Sequence, residues 1–154
     1  MKIKIVCPGK IKEKWLSDGI AEYVKRLSKY AAVNIVEVSD SPDSLPVNKA
    51  LEQEGKLILS KIDPSEYVWV MDLHGKLLTS EQLSEKMIRG LEAGGASLTV
   101  VIGGSNGLDP EVVKRANDRI CLGNITLTHQ MTRLILLEQL YRGFKIAGGE
   151  KYHK

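Results

Sequence analysis

The chain has only two cysteines and three histidines in 154 residues. Cys7 and Cys121 lie far apart, each in or beside an apolar run, and show no metal-ligand spacing. They read as buried, reduced thiols. His74, His129 and His153 have no second His, Cys or carboxylate at ligand spacing, so no metal is expected. Long apolar stretches are missing too. The longest, Leu134 to Leu137 and Val100 to Ile102 with its neighbours, are core-sized, too short for a signal peptide or membrane helix. A cytoplasmic protein with no membrane partner is therefore expected. The G-x-S-x-G elbow is absent, as is any defensible Cys-His pairing, which argues against acyl-transfer hydrolysis. There is no G-x-G-x-x-G fingerprint. Gly75-Lys76 lacks the preceding glycine that a P-loop needs. No repeat, linker or low-complexity block interrupts the chain, so one domain over residues 1–154 is the simplest organisation.

What is present is the composition of a soluble globular protein, 43% hydrophobic and 27% charged. The formal charge of +3 permits a nucleic-acid partner without demanding one, since dedicated DNA modules are usually more basic. Strand and helix patterns alternate. Lys2 to Val6 alternates polar and apolar before Cys7-Pro8-Gly9. Leu16, Ile20, Tyr23, Val24 and Leu27 recur at helical spacing. Val33 to Val38 is a β-branched run. Val47, Leu51, Ile58 and Ile62 suggest one face of a second helix that Asp63-Pro64 ends. Tyr67 to Met71 and Leu98 to Ile102 are continuously apolar, as expected of strands buried on both faces. Asp72 to Lys76 is expected to turn out of the first of these. Thr79 with Gln82 forms a capping box, and Asp109-Pro110 starts a short helix. Arg119 to Leu122 is a fifth strand, and a last helix spans about His129 to Arg142. The fold class is α/β, a mostly parallel sheet flanked by helices.

Parallel sheets place ligands at the carboxyl ends of their strands. Three loops leave such ends, after Met71, after Ile102 and after Leu122, and they should lie side by side if their strands are neighbours. The sharpest is Gly103-Gly104-Ser105-Asn106-Gly107, three glycines in five residues, where the backbone can approach a ligand closely. A plain tight turn is the bland alternative. The last helix is apolar around most of its circumference, which predicts burial on several sides, by both deep insertion and a subunit interface. His129 and Arg133 are four apart and share a face at its start, while Glu138 and Arg142 form an ion pair. In the tail, basic residues mix with Phe144 and Tyr152. That suits phosphate contact and base stacking, although a solvated terminus is as good a reading from composition alone.

Four motifs in order resemble one family. Val101-Ile-Gly-Gly-Ser-Asn-Gly-Leu108, Thr126-Leu-Thr-His-Gln-Met-Thr-Arg133, Leu137-Glu-Gln-Leu-Tyr-Arg142 and Gly149-Glu-Lys-Tyr-His-Lys154 look like the RlmH family. These are the pseudouridine N3-methyltransferases of large-subunit (23S) ribosomal RNA within the SPOUT superfamily. Met1 to Tyr30 and Asp72-Leu-His-Gly-Lys76 are similar too, so the resemblance covers nearly the whole chain. It implies a C-terminal trefoil knot and a homodimer packed at the knots. It also implies S-adenosyl-L-methionine bound by Met71, Gly103 and the loop Leu122, Gly123, Asn124, Ile125, Thr126 and Leu127. Thr128 stands where the family usually has Pro, and as a good N-cap it should preserve the helix start. Gly123-Asn124-Ile125 stands where a Ser-x-Met pattern is more usual.

The reaction implied is transfer of a sulfonium methyl to a pyrimidine imide nitrogen in 23S rRNA, on assembled ribosomes. The protein must align the reactants and stabilise the anion left when the N3 proton departs. His129, Arg133, Tyr152 and His153 are the candidate catalytic residues. Arg133 would hold a phosphate or the developing oxyanion, a histidine would accept the proton, and Tyr152 would stack on or hydrogen-bond the base. Two rivals predict different behaviour. A non-catalytic RNA- or ribosome-binding protein of the same fold would not bind S-adenosylmethionine. A nucleotide-binding α/β enzyme would use the glycine turn for phosphate and need no RNA.

Overall fold

The computed structural model describes residues 1–152 and 154, and the expectation for His153 lies outside them. Strands β1 (Lys2–Pro8), β2 (Ala32–Val38), β3 (Val68–Leu77), β4 (Ser97–Ile102) and β5 (Asp118–Cys121) alternate with helices. The helices are α1 (Lys14–Leu27), α2 (Val47–Leu59), α3 (Ser80–Ala93), α4 (Pro110–Arg115) and α5 (His129–Ala147). The sheet order is β2-β1-β4-β3-β5, and every neighbouring pair is parallel. Parallel neighbours need long crossovers, which the helices supply.

The two faces of the sheet follow from strand alternation. Ile3, Ile5 and Cys7 point to one side with Trp69, Leu98, Val100 and Ile102, where α1, α3 and α5 cover them. Val6, Val68, Val70 and Val101 point to the other side, under Ile58 of α2 and Val112 of α4. The middle strands are buried on both faces, which is why their sequences are apolar throughout. Leu136, Leu137, Leu140 and Phe144 of α5 are buried, while Leu134, Ile135 and Tyr141 are half-buried around them. The expected burial of α5 on several sides is thus met by α1, α3 and the sheet.

Local signals place the helix starts. Thr79 accepts from the Gln82 N–H and the Gln82 side chain accepts from the Thr79 N–H, the full capping box, a device worth about 1 kcal/mol. Asp109 caps α4 with Pro110 at its first position.

Three boundaries differ from expectation. The segment after Met71 does turn, but the strand then resumes. Met71 and Lys76 both pair with Ile120, so residues 72–75 bulge out before β3 continues to Leu77. Gly75 is what lets the bulge lie flat, because a Cβ there would sit 2.7 Å from the Arg119 carbonyl carbon. In α2, Val47 is 56% exposed, and the buried face is Ala50, Glu54, Gly55 and Ile58. That helix ends at Leu59, ahead of Ile62. Finally, α5 runs past Arg142 to Ala147, and the chain beyond it folds back. Glu150 bonds Tyr30 at 2.6 Å and pairs with Lys145.

Candidate functional site

Because β4, β3 and β5 are adjacent, the loops after Ile102, Met71 and Cys121 do lie side by side. Between them is a cleft of about 600 Å³, within the range of small-molecule and cofactor sites. Met71, Gly103, Leu122, Gly123, Ile125, Thr126 and Leu127, the residues expected to hold a cofactor, line it. Asn124 is exposed and off its wall. His129 and Thr132, from the first turn of α5, complete one side.

The glycine turn forms one wall by close backbone packing. A Cβ on Gly103 would stand 2.4 Å from the Gly107 carbonyl oxygen. Gly107 has φ +88°, in the left-handed region, and its N–H donates to the Gly104 carbonyl at 3.1 Å. Opposite lies the Gly123–Leu127 loop. Its N–H groups have no protein acceptor among the described residues. The cleft therefore combines apolar side chains with main-chain groups free to bond a ligand.

Helix α5 starts at Thr128, whose hydroxyl accepts from the Met131 N–H at 3.2 Å. The cap that replaces the usual proline is real. His129 is half-buried in the cleft wall. Burial, then the nearby Arg133 charge, lowers its pKa from the ordinary 6.5, with Asp40 opposing. It is neutral at pH 7 and able to accept a proton.

The structure separates Arg133 and Tyr152 from the cleft. Arg133 has 0% exposure and faces the end of β1. Its guanidinium donates to the carbonyls of Pro8 (2.6 Å) and Gly9 (2.9 Å) and to Glu37 (3.0 Å). Its Nε has no partner among the described residues. Arg133 is not among the residues that line the cleft, and its guanidinium latches α5 to the end of β1. Tyr152 lies along α5 of its own protomer. It packs edge-on against Tyr141 at 5.0 Å, under Arg142, and bonds Glu138 at 3.2 Å. Burial and the bonds to Tyr23 and Glu138 push its pKa up to about 12, so it stays a neutral phenol. The expected Glu138–Arg142 pair forms at 2.6 Å.

Two polar residues of the cleft were missed by sequence reasoning. Asp72 and Arg119 pair on its wall at 2.6 Å. Burial works against the Asp72 carboxylate, yet the His74 N–H and Arg119 outweigh it and hold its pKa below the ordinary 3.8. Asp72 follows an apolar strand at a ligand-bearing end, which was a usable signal. Arg119 gave none, since its partner is brought in by the bulge in β3.

A family model described as "Predicted SPOUT methyltransferase" matches residues 1–153. The chain belongs to the SPOUT methyltransferase family. Relatives of this SPOUT methyltransferase include the "Ribosomal RNA large subunit methyltransferase H" of Enterococcus faecalis and that of Carboxydothermus hydrogenoformans, each 48% identical over 100% of both chains. A third, from Alkaliphilus oremlandii, is 45% identical over the same span. Among solved structures, a probable methylase family protein from Haemophilus influenzae Rd KW20 matches with a TM-score of 0.54. That match covers 99% of this chain and 70% of the other at 16% identity, and it speaks to fold alone. The cofactor of the SPOUT methyltransferase is S-adenosylmethionine. The cleft fits such a group on two counts, a glycine turn folded tightly on its own backbone along one wall and an apolar slot edged by unbonded main chain.

Proposed function

We propose that this chain methylates N3 of a pseudouridine in 23S rRNA of the large ribosomal subunit. It does so as one knotted domain over residues 1–154, working as a homodimer on assembled ribosomes in the cytoplasm, without a metal. The full-length likeness to the large-subunit rRNA methyltransferases supports the substrate. The observation that carries the chemistry is the free main chain of Gly123–Leu127 facing the glycine turn across an apolar cleft.

When bound, S-adenosylmethionine supplies the electrophilic methyl group. The chain's residues do the rest. Met71, Leu122 and Leu127 exclude water around the donor, and the two loops orient it. His129, neutral and facing the cleft, is placed to take the N3 proton. Asp72 and Arg119 set the polarity of the opposite side. Arg133 fixes the first turn of α5, and so His129, from behind. In this reading Tyr152 and His153 serve the cleft of the partner. The placement of Tyr152 away from its own cleft supports that arrangement, as do the exposed apolar residues Leu73 (55%) and Ile125 (77%) on the cleft's rim.

The test is transfer of labelled methyl from the cofactor to ribosomes lacking the modification, with the product base identified. Label in 3-methylpseudouridine of 23S rRNA is the expected result. S-adenosylhomocysteine binding by calorimetry without any transfer to ribosomes would overturn the reading.

A further inference from the structure

Trp15 is 61% exposed, the only aromatic among the exposed large hydrophobics of the described residues. An indole presents a large apolar face and a polar N–H, the combination enriched where one surface meets another. It stands in the first turn of α1, just after the loop that leaves the carboxyl end of β1. That loop carries Lys10 and Lys12, both exposed, and neither makes an ion pair among the described residues. Lys14 is spoken for by Asp18 at 2.6 Å, and Glu13 is the one acid within the segment.

The position of this patch is not accidental to the cleft. β1 neighbours β4, so its loop emerges beside the glycine turn. Arg133 bonds the Pro8 and Gly9 carbonyls immediately before Lys10, and it lies one helical turn from His129 in the cleft wall. The lysine loop and the cleft are therefore held in one fixed relation through α5.

We propose that Lys10, Lys12 and Trp15 form a docking surface for a single-stranded segment of the RNA that presents the target base, an inference that rests on the rRNA reading above. The two ammonium groups meet phosphates, and the indole stacks on an unpaired base. Free cations beside an aromatic face are how single-stranded nucleic acid is held without sequence readout. A second copy of the chain is a poorer occupant, because two unpaired lysines would be buried against their own like.

The experiment measures KM and kcat for undermethylated ribosomes with the full-length protein, Trp15→Ala and the double variant Lys10→Ala/Lys12→Ala. Trp15→Ala should raise KM on the order of tenfold. The double lysine variant should lower the slope of log KM against log salt by about 1.4, at about 0.7 per single-strand phosphate. S-adenosylhomocysteine affinity, saturating kcat and sedimentation behaviour should match the unmodified protein. KM values and salt slopes unchanged in both variants would overturn the docking surface while leaving the methyltransferase reading intact. A Trp15→Ala protein that dissociates into monomers would overturn it too, assigning the patch to the dimer. An unmodified protein that transfers no methyl to ribosomes would instead sink the rRNA reading itself.

Discussion

His129 concentrates three effects at one imidazole. It is half-buried, it stands near a guanidinium, and it occupies the positive end of a helix. All three disfavour the protonated ring, and only Asp40 opposes them. The folded pKa therefore lies below the unfolded value of 6.5. The unfolded state binds the proton more readily, so this residue costs no stability above pH 6.5 and progressively more below it. His129→Gln should flatten the acid limb of the urea-unfolding midpoint below about pH 6.5 relative to the parent protein. If His129 accepts the N3 proton, the parent's single-turnover rate falls as pH drops through the depressed pKa, and the variant lacks that limb. A variant with the parent's acid limb in both measurements would remove His129 from the mechanism.

At the scale of elements, α5 is the part on which the site depends, and Arg133 is its attachment. Its hydrogen bonds to Pro8, Gly9 and Glu37 join the helix to two strands at the cleft end of the sheet. Removing the guanidinium leaves two β1-end carbonyls and a carboxylate without their donor. Arg133→Ala should cost about 3 kcal/mol in urea unfolding. Lys at this position should recover only part of that, because one ammonium cannot span the same fork. A loss below about 0.5 kcal/mol, the size of an ordinary surface substitution, would refute the latch. Residue types alone pointed Arg133 at the reaction, since an arginine one turn from a cleft histidine is what anion stabilisation needs. Its direction was not legible because it depends on Pro8 and Gly9, more than 120 positions away in the chain. Local features read well. The capping box, the Asp109-Pro110 start and the doubly buried strands rest on neighbours within a few residues. The bulge after Met71 was legible only as a turn, since the resumption of β3 is decided by Ile120.

For the whole molecule, the strand order β2-β1-β4-β3-β5 turns three separate loops into one cleft. The sequence could name the loops from the rule about strand ends, but not the adjacency that joins them. Tail placement was equally closed to it. Glu150 meets Tyr30, and Tyr152 meets Tyr141, through contacts that no spacing announces. These contacts hold the chain after α5 along its own helix, away from the cleft of the same protomer.

The two buried thiols give this architecture a chemical clock. Cys7 lies at 0% exposure behind Arg133, and burial pushes its pKa up to about 11. Almost none of it is thiolate at neutral pH, so alkylation there waits for the sheet to come apart. Cys121 is also buried, but it lines the cleft and donates to the Gly123 carbonyl at 3.0 Å. It needs only a local loosening of the cleft loop to react. Peptide mass spectrometry during slow alkylation should show Cys121 modified well ahead of Cys7. S-adenosylhomocysteine should slow the first event far more than the second. Equal rates at the two sites would mean that the cleft loop and the sheet open as one unit. One labelling experiment would then report separately on how often the cofactor's seat opens and how often the molecule unfolds.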